Sequence, residues 1–91
     1  MAVKVKLPTQ LRDAAGNQAE AQVEGSTVGE ALSSLYDQHA ELRTRMSDDG
    51  GGLRRFVNVY LGGEDIRFLD GLETPVADGD ELTILPAVAG G

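Results

Sequence analysis

The stretch from Thr27 to Tyr36 constrains the fold most. Thr27 stands three residues before Glu30, the spacing of a capping box. In that motif a Thr hydroxyl and a Glu carboxylate satisfy N–H groups that open a helix. Val28, Ala31, Leu32, Leu35 and Tyr36 then recur at i, i+3, i+4, i+7 and i+8. That is one apolar stripe along an amphipathic helix, with Glu30, Ser33, Ser34, Asp37 and Gln38 on its outer face. Leu42 and Met46 extend the spacing by a turn or a second short helix. Such a stripe must be buried against another layer, and the rest of the chain offers segments of period two.

Val3-Lys4-Val5-Lys6-Leu7 alternates apolar and charged residues, so Val3, Val5 and Leu7 would face a core. Pro8 ends this strand. Leu11 to Asn17 reads as a connection, with Gly16-Asn17 as its turn signal. Gln18 to Glu24 alternates again, with Ala19, Ala21 and Val23 on one face, and would pair back as a hairpin. Beyond the helix, Ser47 to Gly52 is a polar loop. Leu53 to Leu61 follows as a strand, with Val57, Val59 and Leu61 on one side and Phe56, Asn58 and Tyr60 on the other. Gly62-Gly63 supplies hairpin chemistry, and Ile66-Arg67-Phe68 is expected as a short return strand. Asp70-Gly71 and Asp78-Gly79-Asp80 are turns, with Leu72 and Val76 tucked under the connection. Glu81 to Leu85 closes as a strand with Leu82 and Ile84 inward. A hairpin, a crossover helix and further strands make an α+β sheet with the helix on one face, its first and last strands adjacent at the centre. This is the β-grasp, or ubiquitin-like, roll. The expected organisation is a domain over 1–85 and an extended tail over 86–91.

At 91 residues the chain is one small domain, with little room for a deep cleft and its supporting shell. It holds no cysteine and a single histidine, His39, which disfavours thiolate metal sites, cysteine nucleophiles and histidine relays. His39 at the helix end suits the macrodipole rather than catalysis. Net charge is −7 and the only lysines are Lys4 and Lys6, so no nucleic acid partner is expected and basic partner proteins are favoured. No apolar run approaches the roughly 20 residues of a membrane span, so no membrane association is expected. Met1-Ala2-Val3-Lys4 lacks a secretory core, which points to the cytoplasm. No glycine-rich stretch carries a P-loop or dinucleotide-binding pattern. Asp78-Gly79-Asp80-Glu81 and Asp48-Asp49-Gly50-Gly51-Gly52 read as turns rather than cation sites, and Arg54-Arg55 as a solvated strand entry rather than a phosphate clamp.

The last ten residues carry no charged side chain and end Pro86-Ala87-Val88-Ala89-Gly90-Gly91. Pro86 cannot donate to a ladder and is expected to stop the strand. The six residues from Pro86 reach up to about 20 Å when extended. Their small side chains could thread a narrow channel, and Gly90 and Gly91 let backbone approach a reaction centre closely. These are the properties of a chain that presents its own Gly91 carboxylate to another enzyme. Phe56, Tyr60 and Leu85 would lie on the sheet face away from the helix. They form either a partner patch or a cluster packed on itself and on the loop from Leu69 to Val76.

At this point the chain resembles a known family, the ubiquitin-like sulfur carriers of the MoaD/ThiS group. Within it, the nearest likeness is to those serving thiocarboxylate-dependent cysteine synthesis. The residues that carry the resemblance are Arg55 to Tyr60, Glu64 to Phe68, Ala77 to Asp80 and Thr83 to Gly91. The resemblance implies that the chain is not an enzyme but a protein co-substrate. An E1-like enzyme would adenylate Gly91 with ATP and magnesium that the enzyme, not this chain, binds. A sulfur donor such as a rhodanese persulfide would displace AMP to give a thiocarboxylate. A PLP-dependent cysteine synthase would then accept the sulfur, and a metallopeptidase would trim the cysteine adduct. Pro86, Ala87, Val88, Ala89 and Gly90 would line partner channels, with no metal and no cofactor bound to this chain. The alternatives are a carrier for molybdopterin, thiamin or thiosugar synthesis, or a ubiquitin-like protein modifier.

Overall fold

Period-two alternation at the N-terminus becomes β1 (Ala2–Lys6), with Val3 and Val5 fully buried. The structure is a computed structural model that describes residues 1–47, 52–54 and 57–86. β1 pairs antiparallel with β2 (Glu20–Glu24), from Ala2 opposite Glu24 to Lys6 opposite Glu20. Ala21 and Val23 face the core as expected, but Ala19 is exposed and lies outside the strand. Its carbonyl accepts the Leu7 N–H at 2.8 Å, where the chain is already leaving the ladder.

The segment expected as an irregular connection is instead helical. α1 (Thr9–Arg12) runs into a 3-10 turn over Asp13–Ala15, and Leu11, Ala14 and Ala15 are buried. Their i, i+3, i+4 spacing seats one helical turn on the core. Pro8 precedes the first turn, where its missing N–H costs nothing. Gly16 ends the turn in the left-handed region at φ 68°.

α2 (Val28–Gln38) buries Val28, Ala31, Leu32 and Leu35, and Tyr36 packs half-buried against the same cluster. The Thr27 hydroxyl accepts the Glu30 N–H at 3.1 Å. The Glu30 carboxylate reaches back to the N–H of Ser26, one residue before the cap, at 2.8 Å. His39 is both the end of α2 and the start of α3 (Ala40–Met46), whose Leu42 and Met46 are fully buried. It therefore lies between two helix ends, and the single macrodipole expected to act on it is divided between them.

β3 (Val57–Leu61) starts later than expected. Leu53 forms a bridge to Ser47, and the Arg54 N–H donates to the Met46 carbonyl, so both belong to the end of α3. Gly62 and Gly63 both take positive φ, 59° and 96°, as a two-residue hairpin with right-handed strand twist demands. The return strand β4 is only Glu64–Asp65. Ile66–Phe68 coils into a 3-10 turn because the Asp65 carboxylate captures the Arg67 N–H at 2.9 Å. Phe68 is left 85% exposed, while Ile66 is buried. β5 (Glu81–Pro86) closes the sheet in the order β2-β1-β5-β3-β4, parallel to β1 and antiparallel to β3. The first and last strands are central neighbours, and the helices cover one face, as in a β-grasp roll. Leu82 and Ile84 enter the core with Val57, Val59 and Val76. Leu72 packs partly buried on the same cluster.

Candidate functional site

β5 is the strand from which the sequence runs on to Gly90-Gly91. Its position is fixed on both sides. Lys4, Val5 and Lys6 of β1 stand beside Glu81, Leu82 and Thr83, and Val57 through Leu61 of β3 stand opposite Pro86 back through Leu82. Pro86 is the last strand residue rather than the first beyond it, paired with Val57. An extended proline fits a strand end because only its N–H is missing. Ala87, Val88, Ala89, Gly90 and Gly91 lie outside the described residues, as do Arg55 and Phe56.

Leu82 and Ile84 face the helices, so Glu81, Thr83 and Leu85 face the other way. Tyr60 stands opposite Thr83, and Asn58 opposite Leu85. Tyr60 and Leu85 are thus diagonal neighbours on the uncovered face, and Leu85 is 45% exposed. The loop from Leu69 to Val76 lies beside α2. It packs on the start of α2 through a Thr27–Pro75 bridge and a close approach of Leu72 to Gly29. The Asn58 Oδ1, on this same face, is buried without a hydrogen-bond partner among the described residues.

Several charged groups elsewhere are committed to structure. Asp78 accepts the Ala2 N–H and Asp80 the Ala77 N–H, each at 2.8 Å, while Gly79 turns at φ 89°. These carboxylates shape a turn, as read from the sequence. No group of three or more acidic, histidine or cysteine side chains able to hold a metal occurs among the described residues. Asp65 is buried and bound by Arg67 through Nε at 3.2 Å and a terminal nitrogen at 2.8 Å. Hydrogen bonds from the Arg67 side chain and backbone hold the Asp65 carboxyl below its usual range. Burial pushes the Tyr36 phenol up to about 12, with Arg43 opposing from 5.9 Å above the ring. No described helix is long and apolar enough to cross a membrane.

A small β-grasp domain whose central strand leads into a side-chain-poor Gly-Gly end defines a ubiquitin-like protein. The ThiS family profile matches residues 5–91. The sulfur carrier protein CysO of Mycobacterium tuberculosis is 46% identical over 93 aligned positions, covering all of both chains. The crystal structure of the Amycolatopsis orientalis BexX/CysO complex matches with a TM-score of 0.89 at 46% identity, over 98% of this chain and 99% of that one. The solution structure of small archaeal modifier protein 1 from Methanosarcina acetivorans matches with a TM-score of 0.87 at 40% identity, over 99% and 96%. The chain belongs to the ThiS family of ubiquitin-like sulfur carriers.

Proposed function

We propose that this chain carries sulfur as a thiocarboxylate on Gly91, made by an E1-like enzyme and spent in cysteine biosynthesis. The observation that supports this best is the full-length 46% identity with a sulfur carrier, CysO, in a chain that itself ends Gly90-Gly91. A carboxylate is a poor electrophile. Adenylation with MgATP on the partner gives Gly91 a leaving group, a persulfide donor such as a rhodanese displaces AMP to form an acyl disulfide, and a second thiol cleaves that disulfide to the thiocarboxylate, leaving with the donor sulfur as a disulfide. The resulting thiocarboxylate sulfur is a soft nucleophile that can be handed on without free sulfide. The acceptor on this reading is an aminoacrylate on a PLP-dependent cysteine synthase, and a metallopeptidase releases the cysteine from the adduct. The chain supplies the substrate carboxylate and no catalytic side chain. Pro86 through Gly90 span the distance from the domain to the partner's reacting atoms.

The experiment is adenylation by the cognate E1-like enzyme, followed as pyrophosphate release. The native chain should turn over, and one with a single residue added after Gly91 should not, at an unchanged melting temperature. Adenylation of the extended, unprocessed chain would remove the basis of the proposal. The likeness to a small archaeal modifier protein favours a second reading, in which Gly91 ends on target lysines. Gly-Gly remnants on other proteins after digestion would mark it.

A further inference from the structure

We infer that the end of the domain from which β5 departs is a cationic collar that seats on an acidic rim around the activating enzyme's channel. The inference rests on the reading that Gly91 is delivered into a partner. Its basis is where the sheet register and the local helices put the charges.

β1 and β5 run parallel, so the end of β1 and the end of β5 meet at one edge, where Val57 opens β3 opposite Pro86. Two depressions flank β5 there. One is an open groove of about 490 Å³ along Lys6, Pro8, Arg12, Thr83 and Leu85. The other is a cavity of about 320 Å³ on the helix side, along Leu11, Arg45, Arg54, Val57 and Ile84. Gln10 borders both. Among the described residues four basic side chains and no carboxylate line these two depressions, while Glu20 joins Lys6 and Arg12 at an adjoining one. In a chain of 15 acidic and 8 basic residues, that is a local enrichment of basic side chains.

Two of the four are committed within the domain. Lys6 meets Glu81 at 3.5 Å, and Arg45 meets Asp13 and Glu41, each at 3.1 Å. Arg12 and Arg54 are different. Arg12 donates Nε to the Leu7 carbonyl at 3.1 Å and Arg54 donates Nε to the Thr44 carbonyl at 3.2 Å. Among the described residues neither has a carboxylate partner. A bond to a backbone carbonyl orients each guanidinium, and no described carboxylate pairs with it. An oriented guanidinium is suited to paired hydrogen bonds with a carboxylate.

The opposite edge is acidic. Glu24 stands beside Ala2, Glu64 beside Leu61, and the Asp78–Asp80 turn leads into β5. The domain is therefore polarised along β5. The net charge of −7 favours basic partners at long range. At the departure edge the charges without a described carboxylate partner, Arg12 and Arg54, are positive, so an acidic rim would draw the molecule in tail first. Steering of this kind raises association rates by roughly 10 to 10³ and fades as salt screens it.

The test uses the full chain and its E1-like enzyme, measuring pyrophosphate release against ionic strength. The double variant Arg12→Glu with Arg54→Glu should lose about tenfold or more in kcat/KM at low salt, with kcat unchanged. Near 1 M salt, where the Debye length is about 3 Å, it should converge on the native chain. If the double variant does not fold, Arg12→Gln with Arg54→Gln replaces it, with a smaller loss of the same salt dependence. Equal kcat/KM at low salt, or a loss that persists undiminished at high salt, overturns the collar. A native chain that is never adenylated overturns the proposed function instead, and the collar with it.

Discussion

Gly25→Ala is the sharpest test of how the sheet and α2 are joined. Gly25 follows β2, where its N–H donates to the Met1 carbonyl at 3.1 Å. Its backbone is not in the left-handed region, so conformational freedom does not explain the glycine. Space does. A Cβ there would lie 2.6 Å from the Ala31 nitrogen, 2.9 Å from the Glu30 carbonyl carbon and 3.0 Å from the Ala31 Cα, where ordinary contact begins at 3.4 Å. All three atoms are backbone of the first turns of α2, so no side chain can swing aside. The helix must slide, and the slide pulls on the Ser26–Glu30 and Thr27–Glu30 bonds that start it. Overpacking costs roughly 1–3 kcal/mol and a weakened cap about 1. The lower entropy of the unfolded alanine chain offsets about 0.4–1. The expected loss is about 2–3 kcal/mol, or roughly 10–20 °C in Tm for a domain of this size. Urea and thermal unfolding measure it. Gly16→Ala is the contrast, with open space around it but φ 68°, and should cost about 1–2 kcal/mol. A Gly25→Ala chain within about 0.5 kcal/mol of native, with unchanged m, would refute the steric account.

Other perturbations read separate parts of the structure. Thr27→Ala removes the acceptor of the Glu30 N–H and should destabilise by about 1 kcal/mol in urea unfolding. Asp65, held by Arg67 below the ordinary carboxyl value of 3.8, contributes stability above that value that is lost as pH falls through the lower folded value. Asp65→Asn should flatten the acid limb of a stability–pH curve measured below about pH 4. Tyr36, raised to about 12, contributes stability that is complete below the ordinary phenol value of 10.0 and lost as pH rises toward 12. Ultraviolet titration should show a phenol ionising near pH 12 that Tyr36→Phe abolishes. Leu35→Ala, at a fully buried position under α2, should cost about 2–5 kcal/mol by the same unfolding assay.

The sequence exposed the fold wherever one period ran long enough to identify a face. The Thr27–Tyr36 stripe, the alternation in β1 and the pairing of β1 with β5 all follow from it. It was silent where a few side chains override the pattern. Leu11, Ala14 and Ala15 carry one helical turn, too short for periodicity to separate from a connection, though their spacing is the signal. The Asp65–Arg67 bond coils Ile66–Phe68, which alternation alone would extend. Leu53 looked like strand because it is apolar and precedes Val57, yet its backbone pairs with Ser47 at the end of α3. For the site, the sequence identified Tyr60 and Leu85 as residues of the uncovered face. The clustering of Lys6, Arg12, Arg45 and Arg54 around β5 was invisible because their positions are far apart along the chain and meet only through the sheet register.

The central claim is that Gly91 is itself the sulfur-bearing group. Intact-protein mass spectrometry after incubation with the E1-like enzyme, MgATP, a persulfide donor and a reducing thiol tests it directly. The account predicts replacement of one oxygen by sulfur, localised by fragmentation to the Gly91 carboxylate and absent without ATP. An unchanged Gly91 in a chain that the enzyme demonstrably binds would contradict it.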